Sequence, residues 1–175
     1  MTDKSISPKI TKLLFGVVLL AFLALPVTGY LTYMHYAPEA AEFCTINDTL
    51  NCDKVNKSQW SYLDLGFMEF PVAIMGFVTY LIFFTVSLGL IAKWRFQRIH
   101  KVFRPGVVIM LLRWLSVVGM IFSLYLTYIE AFVLQAWCVF CIAQQILILG
   151  IMVLFFVIKY YTDDQKKDGV MCEFC

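Results

Sequence analysis

Residues 105–158 read PGVVIMLLRWLSVVGMIFSLYLTYIEAFVLQAWCVFCIAQQILILGIMVLFFVI, 54 positions with only two charges, Arg113 and Glu130. About 20 apolar residues, rising about 1.5 Å each, cross the roughly 30 Å hydrocarbon core of a bilayer as a helix. The stretch is therefore too long for one crossing and suits two, joined by a tight hairpin. The hairpin is expected near Leu134 to Trp137, because Glu130 falls just before it and Trp137 can anchor at headgroup level. Arg113 then marks the inner interface of the first crossing, its long stem letting the guanidinium reach water.

Two further crossings lie upstream. No charge occurs between Lys12 and His35, a run of 22 residues, and Phe70 to Ala92 adds 23 more, opened by Pro71 where the first helical turn has no use for an N–H. Lys4, Lys9 and Lys12 could introduce a signal peptide. The apolar run exceeds a usual signal core and lacks a small-residue cleavage pattern, so retention is expected. A hydrophobic fraction of 61%, 17% aromatics and a mean hydropathy of +0.79 fit a lipid-embedded chain. A net charge of +2 gives no footing for nucleic acid. No internal repeat, low-complexity segment, Rossmann fingerprint or P-loop is present.

The expected fold is an all-α integral membrane protein, a four-transmembrane-helix bundle. Its spans fall at about 11–35, 70–92, 106–134 and 138–159, inside a membrane domain of residues 1–162 followed by a short cytosolic tail, 163–175. Eleven of the fourteen basic residues lie before span one, between spans two and three, or after span four. The positive-inside rule assigns those segments, and both termini, to the cytosol. The loop Ala37 to Glu69, with two lysines against six acids, then faces outward together with the start of span four.

Six cysteines form three pairs, Cys44/Cys52, Cys138/Cys141 and Cys172/Cys175. Cys138 and Cys141 are spaced i, i+3, so on a helix both sulfurs project from one face. At the first turn of span four, Cys138 lies nearest the positive end of the helix dipole and Cys141 one turn deeper. Alone, such a pair could be a structural disulfide, half a zinc site or a redox centre. Cys44 and Cys52, on the same outer side, widen the choice to a four-thiolate zinc site or a relay in which thiolate attack passes electrons between pairs through a mixed disulfide. Zinc is disfavoured by the seven-residue gap between Cys44 and Cys52 and by the apolar helix around the second pair, and no metal is expected. For a relay, the simplest electron acceptor is a quinone dissolved in the bilayer, beside Cys141.

These residues resemble the vitamin K epoxide reductase family of four-helix, quinone-coupled thiol oxidoreductases. Cys44 and Cys52 are similar to its loop pair, Ser58 to its loop serine or threonine, and Cys138-Val-Phe-Cys141 to its catalytic motif. Glu69-Phe-Pro-Val-Ala-Ile-Met-Gly76, followed by Tyr80, resembles the bacterial opening of the second helix. The resemblance implies an extracytoplasmic loop with a short half-helix between spans one and two. It also implies roles: Cys44 exchanges with a thioredoxin-like or DsbA-like thiol protein, Cys52 passes electrons to Cys138, and Cys141 faces the quinone. Ser58, on the half-helix, would cap the quinone pocket, and Phe70 and Phe140 are further candidates for its wall, as are Trp60, Phe67 and Trp137.

Departures from the vertebrate pattern shape the expected activity. Val72 stands where vertebrate relatives have a quinone-binding asparagine, and Gln145 where they have a tyrosine. The expected function is thus disulfide formation, oxidising the thiol partner at the expense of a quinone of ubiquinone, menaquinone or vitamin K type, in a bacterial inner membrane rather than the endoplasmic reticulum. Alternatives are a vitamin K epoxide or quinone reductase, and a non-catalytic disulfide-stabilised or metal-binding tetraspan protein. Many bacterial relatives continue into a fused thioredoxin-like domain; the sequence here runs to Cys175, and the expectation is a member without that fusion. The tail pair Cys172/Cys175 reads as inert or accessory. His35 is a candidate proton carrier, and Asn47 and Asn56 match the glycosylation pattern.

Overall fold

The computed structural model describes residues 8–36, 47, 49–64, 69–92 and 105–167. Among the described residues there are four long helices: α1 (Pro8–Tyr36), α3 (Val72–Ile91), α4 (Pro105–Tyr128) and α5 (Val139–Lys167). A short α2 (Cys52–Asn56) lies between α1 and α3, where the half-helix was expected. All four long helices are long and apolar enough to cross a membrane. The third continues from α4 through a π-helical segment, Ile129–Leu134, so that its span runs from Gly106 to Leu134. α5 continues helically to Lys167, past the expected start of the tail, and Cys172 and Cys175 lie outside the described residues.

Surface chemistry agrees with a lipid setting. Phe15, Phe22, Val118, Ile121, Phe132 and Ile146 are each more than half exposed. In water, contiguous apolar surface of this kind drives association, whereas acyl chains accept it without penalty. Arg113, the one basic residue inside the third span, lies against the rings of Trp114 and Phe156 at 5.6 and 5.5 Å. A guanidinium over aromatic faces keeps electrostatic company where water is scarce.

α1 is the central element, packing on both α3 and α5, while α4 joins the bundle through α5. Close approach of α1 and α5 relies on glycine. A Cβ built on Gly150 would meet Leu20 Cδ1 at 2.9 Å, and one on Gly16 would meet Leu154 Cδ1 at 3.2 Å. Small residues at crossings let helix backbones approach in lipid, where no hydrophobic drive pushes them together. One buried cluster fills the half of the bundle away from the cysteines: Ile10, Leu14 and Val17 from α1, Phe83 from α3, and Ile151, Phe155 and Ile158 from α5. The Phe83 and Phe155 rings meet at 5.8 Å.

A two-stranded antiparallel hairpin, β1 (Tyr62–Asp64) and β2 (Glu69–Pro71), leads from α2 into α3. The all-α expectation did not include it. Ser61 O accepts from the Val72 N–H at 2.8 Å, giving a partner to one of the amides that every helix start leaves open.

Candidate active site

Five chain segments converge at one end of the bundle: the end of α1, α2, the start of α3, the π-helical end of span three, and the start of α5. α2 forms because Asn51 caps it, its side chain accepting from the Lys54 N–H at 2.8 Å. Asparagine is among the strongest residues at this position. α1 then holds α2 in place. Asn56 Nδ2 donates to Leu31 O at 2.8 Å, and His35 Nδ1 pairs with Asn56 O at 2.8 Å. His35 therefore fastens the loop to the first span. The Asn56 side chain is buried in this clasp, which removes it as a glycosylation acceptor.

The decisive contact is a backbone one. Leu50 and Trp137 form a parallel β-bridge, with the Trp137 N–H donating to Thr49 O at 2.7 Å and the Asn51 N–H to Trp137 O at 3.1 Å. Cys52 follows this bridge on one strand and Cys138 follows it on the other. Both are buried, 3% and 0% exposed, in a single cluster with Leu31, Val55 and Ala136. Cys52 is disulfide-bonded, whereas Cys138 and Cys141 are free thiols, so the partner of Cys52 lies outside the described residues. Cys44 lies there too.

Cys138 occupies the cap of α5. Its Sγ accepts from the Cys141 N–H at 3.3 Å and its carbonyl accepts from the Ile142 N–H at 3.1 Å. A sulfur thus stands where serine or aspartate more often satisfies an open amide. The turn before it has Gln135 at φ 50, a left-handed conformation that glycine usually supplies. Absence of glycine here hid the turn chemistry from the sequence, although the hairpin falls within the expected Leu134–Trp137.

In the sequence Glu130 marks that turn and is the one acid within the apolar run. It is 3% exposed, its Oε2 accepts from the Cys138 N–H at 3.1 Å, and it shares a cavity wall with Cys141. The π-helical segment brings it there, since the wider turn ends with the Ala136 N–H reaching back to Glu130 O at 3.1 Å. Such turns recur at functional sites. One signal could have found it: the sole acid within 54 apolar residues is a site candidate on that ground alone.

A cavity of about 370 Å³ lies beneath α2, with Cys141 and Glu130 on its wall. It exists because α3 and α4 barely touch, each being held by a different neighbour. Val72, Met75 and Thr79 of α3 face Val118, Phe122 and Leu126 of α4 across it. Met75 and Val118 are themselves well exposed, so the cavity opens sideways toward lipid. Ser58 and Trp60 line its roof. Ser58 sits two residues beyond the end of α2 rather than on it, its hydroxyl donating to Val55 O at 2.8 Å.

The other candidates sit elsewhere. Phe140 packs edge-on against Tyr30 at 5.2 Å and Phe70 belongs to β2, and neither lines the cavity. Phe67 lies outside the described residues. Tyr80, by contrast, is buried on the cavity wall and donates to Gln144 O at 3.1 Å, tying α3 to α5 there, while Gln144 Nε2, also on that wall, donates to Ala24 O at 3.1 Å. Gln145 does not line the cavity, since its amide oxygen accepts from Thr127 Oγ1 at 2.6 Å. Among the described residues, no group of three or more His, Cys, Asp or Glu is arranged to hold a metal.

Compared with known families, the sequence matches the vitamin K epoxide reductase family over residues 16–156. The chain belongs to that family. Its members work by thiol and disulfide chemistry coupled to quinones, as redox enzymes of the membrane, and this family member has the helices for such a setting. The match takes in Cys44, Cys52, Ser58, Cys138 and Cys141, the positions on which the sequence resemblance rested.

Proposed function

We propose that this protein is a quinone-coupled thiol:disulfide oxidoreductase that oxidises a thioredoxin-like or DsbA-like protein outside the cytosol of a bacterium. Cys44 is the bonded partner of Cys52 in this reading. The dithiol of the partner protein reduces that bridge, entering at Cys44. Cys52, freed as a thiol, attacks Cys138 of an oxidised Cys138–Cys141 pair. Cys44 then attacks Cys52, restoring the loop disulfide and leaving two thiols at Cys138 and Cys141. Those thiols reduce the quinone to hydroquinone and close to a disulfide again. Each exchange breaks one S–S bond and makes one, so electrons move in pairs.

The observation that carries this reading is the Leu50–Trp137 bridge, which sets Cys52 beside Cys138 through backbone hydrogen bonds. Supporting it, a bonded Cys52 with free Cys138 and Cys141 is the state this scheme reaches just before the quinone is reduced. The cavity beside Cys141 has the apolar walls and sideways mouth that a ring arriving from the bilayer needs. Ser58 and Cys141 are its polar contacts to the quinone, and Phe140 supports the site through Tyr30. A ubiquinone or menaquinone is favoured over vitamin K epoxide, because Gln145 spends its amide oxygen on Thr127 and Val72 offers the ring no hydrogen bond.

The test mixes purified protein in proteoliposomes with a reduced thioredoxin-like substrate and a ubiquinone or menaquinone analogue, and follows quinone absorbance. Turnover with either is expected. No turnover with both removes the proposal.

A further inference from the structure

Reduction of a quinone by a dithiol moves two electrons and two protons, and the scheme above gives the protons no carrier. Glu130 is placed to be one. It is almost fully buried, and it stands on the wall of the same cavity as Cys141. Its carboxyl accepts from the backbone N–H of Cys138 and lies near enough to the Cys141 thiol for the two groups to interact across the shared wall. Burying a carboxyl costs more than accepting one backbone N–H returns, and a glutamine could accept that N–H equally well. An acid retained at this depth is thus explained by what only an acid can do, which is to take up and release a proton.

We propose that Glu130 is a catalytic residue that carries the Cys141 proton, a step that rests on the quinone-coupled reading above. As Cys141 Sγ attacks the quinone, the Glu130 carboxylate takes the thiol proton and passes it to the quinone oxygen. Cys138 then attacks Cys141 Sγ, the disulfide forms, and the second thiol proton leaves with the other quinone oxygen. Two S–H bonds and the quinone are consumed, and one S–S bond and a hydroquinone result. The π-helical segment is what presents the carboxyl to Cys141 while its neighbours Ile129 and Leu134 stay on the cavity wall.

Glu130→Gln separates the two roles, since its amide oxygen still accepts from the Cys138 N–H but cannot carry the proton. Single-turnover quinone reduction by the prereduced protein is expected to slow roughly 10²–10³-fold, within the range of general-base contributions, with thermal stability close to that of the unaltered protein. Glu130→Asp should recover part of the rate. A Glu130→Gln rate within threefold of the unaltered protein overturns the proposal. Should that variant not fold, full activity in Glu130→Asp, whose carboxyl is withdrawn from Cys141, overturns it instead. Diamide, which oxidises a dithiol without any quinone, provides the independent arm. If the unaltered protein fails to reduce quinone, the functional reading falls; a tenfold slower diamide oxidation in Glu130→Gln then still upholds Glu130 as proton acceptor, and an equal rate removes it.

Discussion

The two ends of this bundle are built on different principles. At the end away from the cysteines, Phe83, Phe155, Ile151 and Ile158 are wholly buried and interlock without polar assistance. At the cysteine end, the elements are held by hydrogen bonds, from Asn56 to Leu31, Trp137 to Thr49 and Cys138 to Glu130, around a space left open. Close packing is stiff and leaves no room for a ligand, while directional bonds can fix a few groups around a void. The lesson is a division of labour along the bundle axis, with cohesion at one end and the candidate redox groups at the other.

That contrast can be broken in order of effect. Replacing Cys141 with serine removes the sulfur on the cavity wall and should lower quinone reduction by more than about 10³-fold, as losses of activated nucleophiles do, with the melting temperature nearly unchanged. A purely structural pair predicts the reverse, stability lost and nothing else. Phe83→Ala, at the other end, should cost about 3–5 kcal/mol of stability and leave the turnover of the folded fraction intact. Unfolding in mixed micelles, read against turnover per folded molecule, checks both halves of that statement.

Smaller changes sharpen the same contrast. Asn56→Ala leaves Leu31 O without its partner and loosens the roof, costing about 1–3 kcal/mol and raising KM for the quinone more than it lowers kcat. A fall in kcat alone would contradict the assignment of α2 as a roof. The smallest effect is expected at Gln135, where glycine removes left-handed strain and should raise stability by up to about 1 kcal/mol, seen as a higher midpoint of unfolding.

Much of the bundle was legible because hydropathy and helix length are linear properties. The charge-free runs at 13–34 and 70–92 mark α1 and α3, and the 54-residue run resolves into two crossings by length alone. The cysteine spacing likewise announces the site, because sulfur chemistry needs particular residues at particular intervals. Three features were not legible. The Leu50–Trp137 bridge is made by backbone groups that every residue carries, so no side-chain pattern reports it. The π-helical segment is a small excess of winding in a sequence that fits an α-helix equally well. The cavity arises from two helices not meeting, and sequence periodicity does not encode which neighbours stay apart.

The sideways mouth between α3 and α4 has a kinetic corollary for the proposed reaction. An enzyme that admits its co-substrate from among acyl chains responds to the mole fraction of quinone in the leaflet, not to its amount per litre. Diluting proteoliposomes with buffer should leave the quinone half-reaction unaltered, and fusing them with quinone-free vesicles should slow it in proportion to the added lipid.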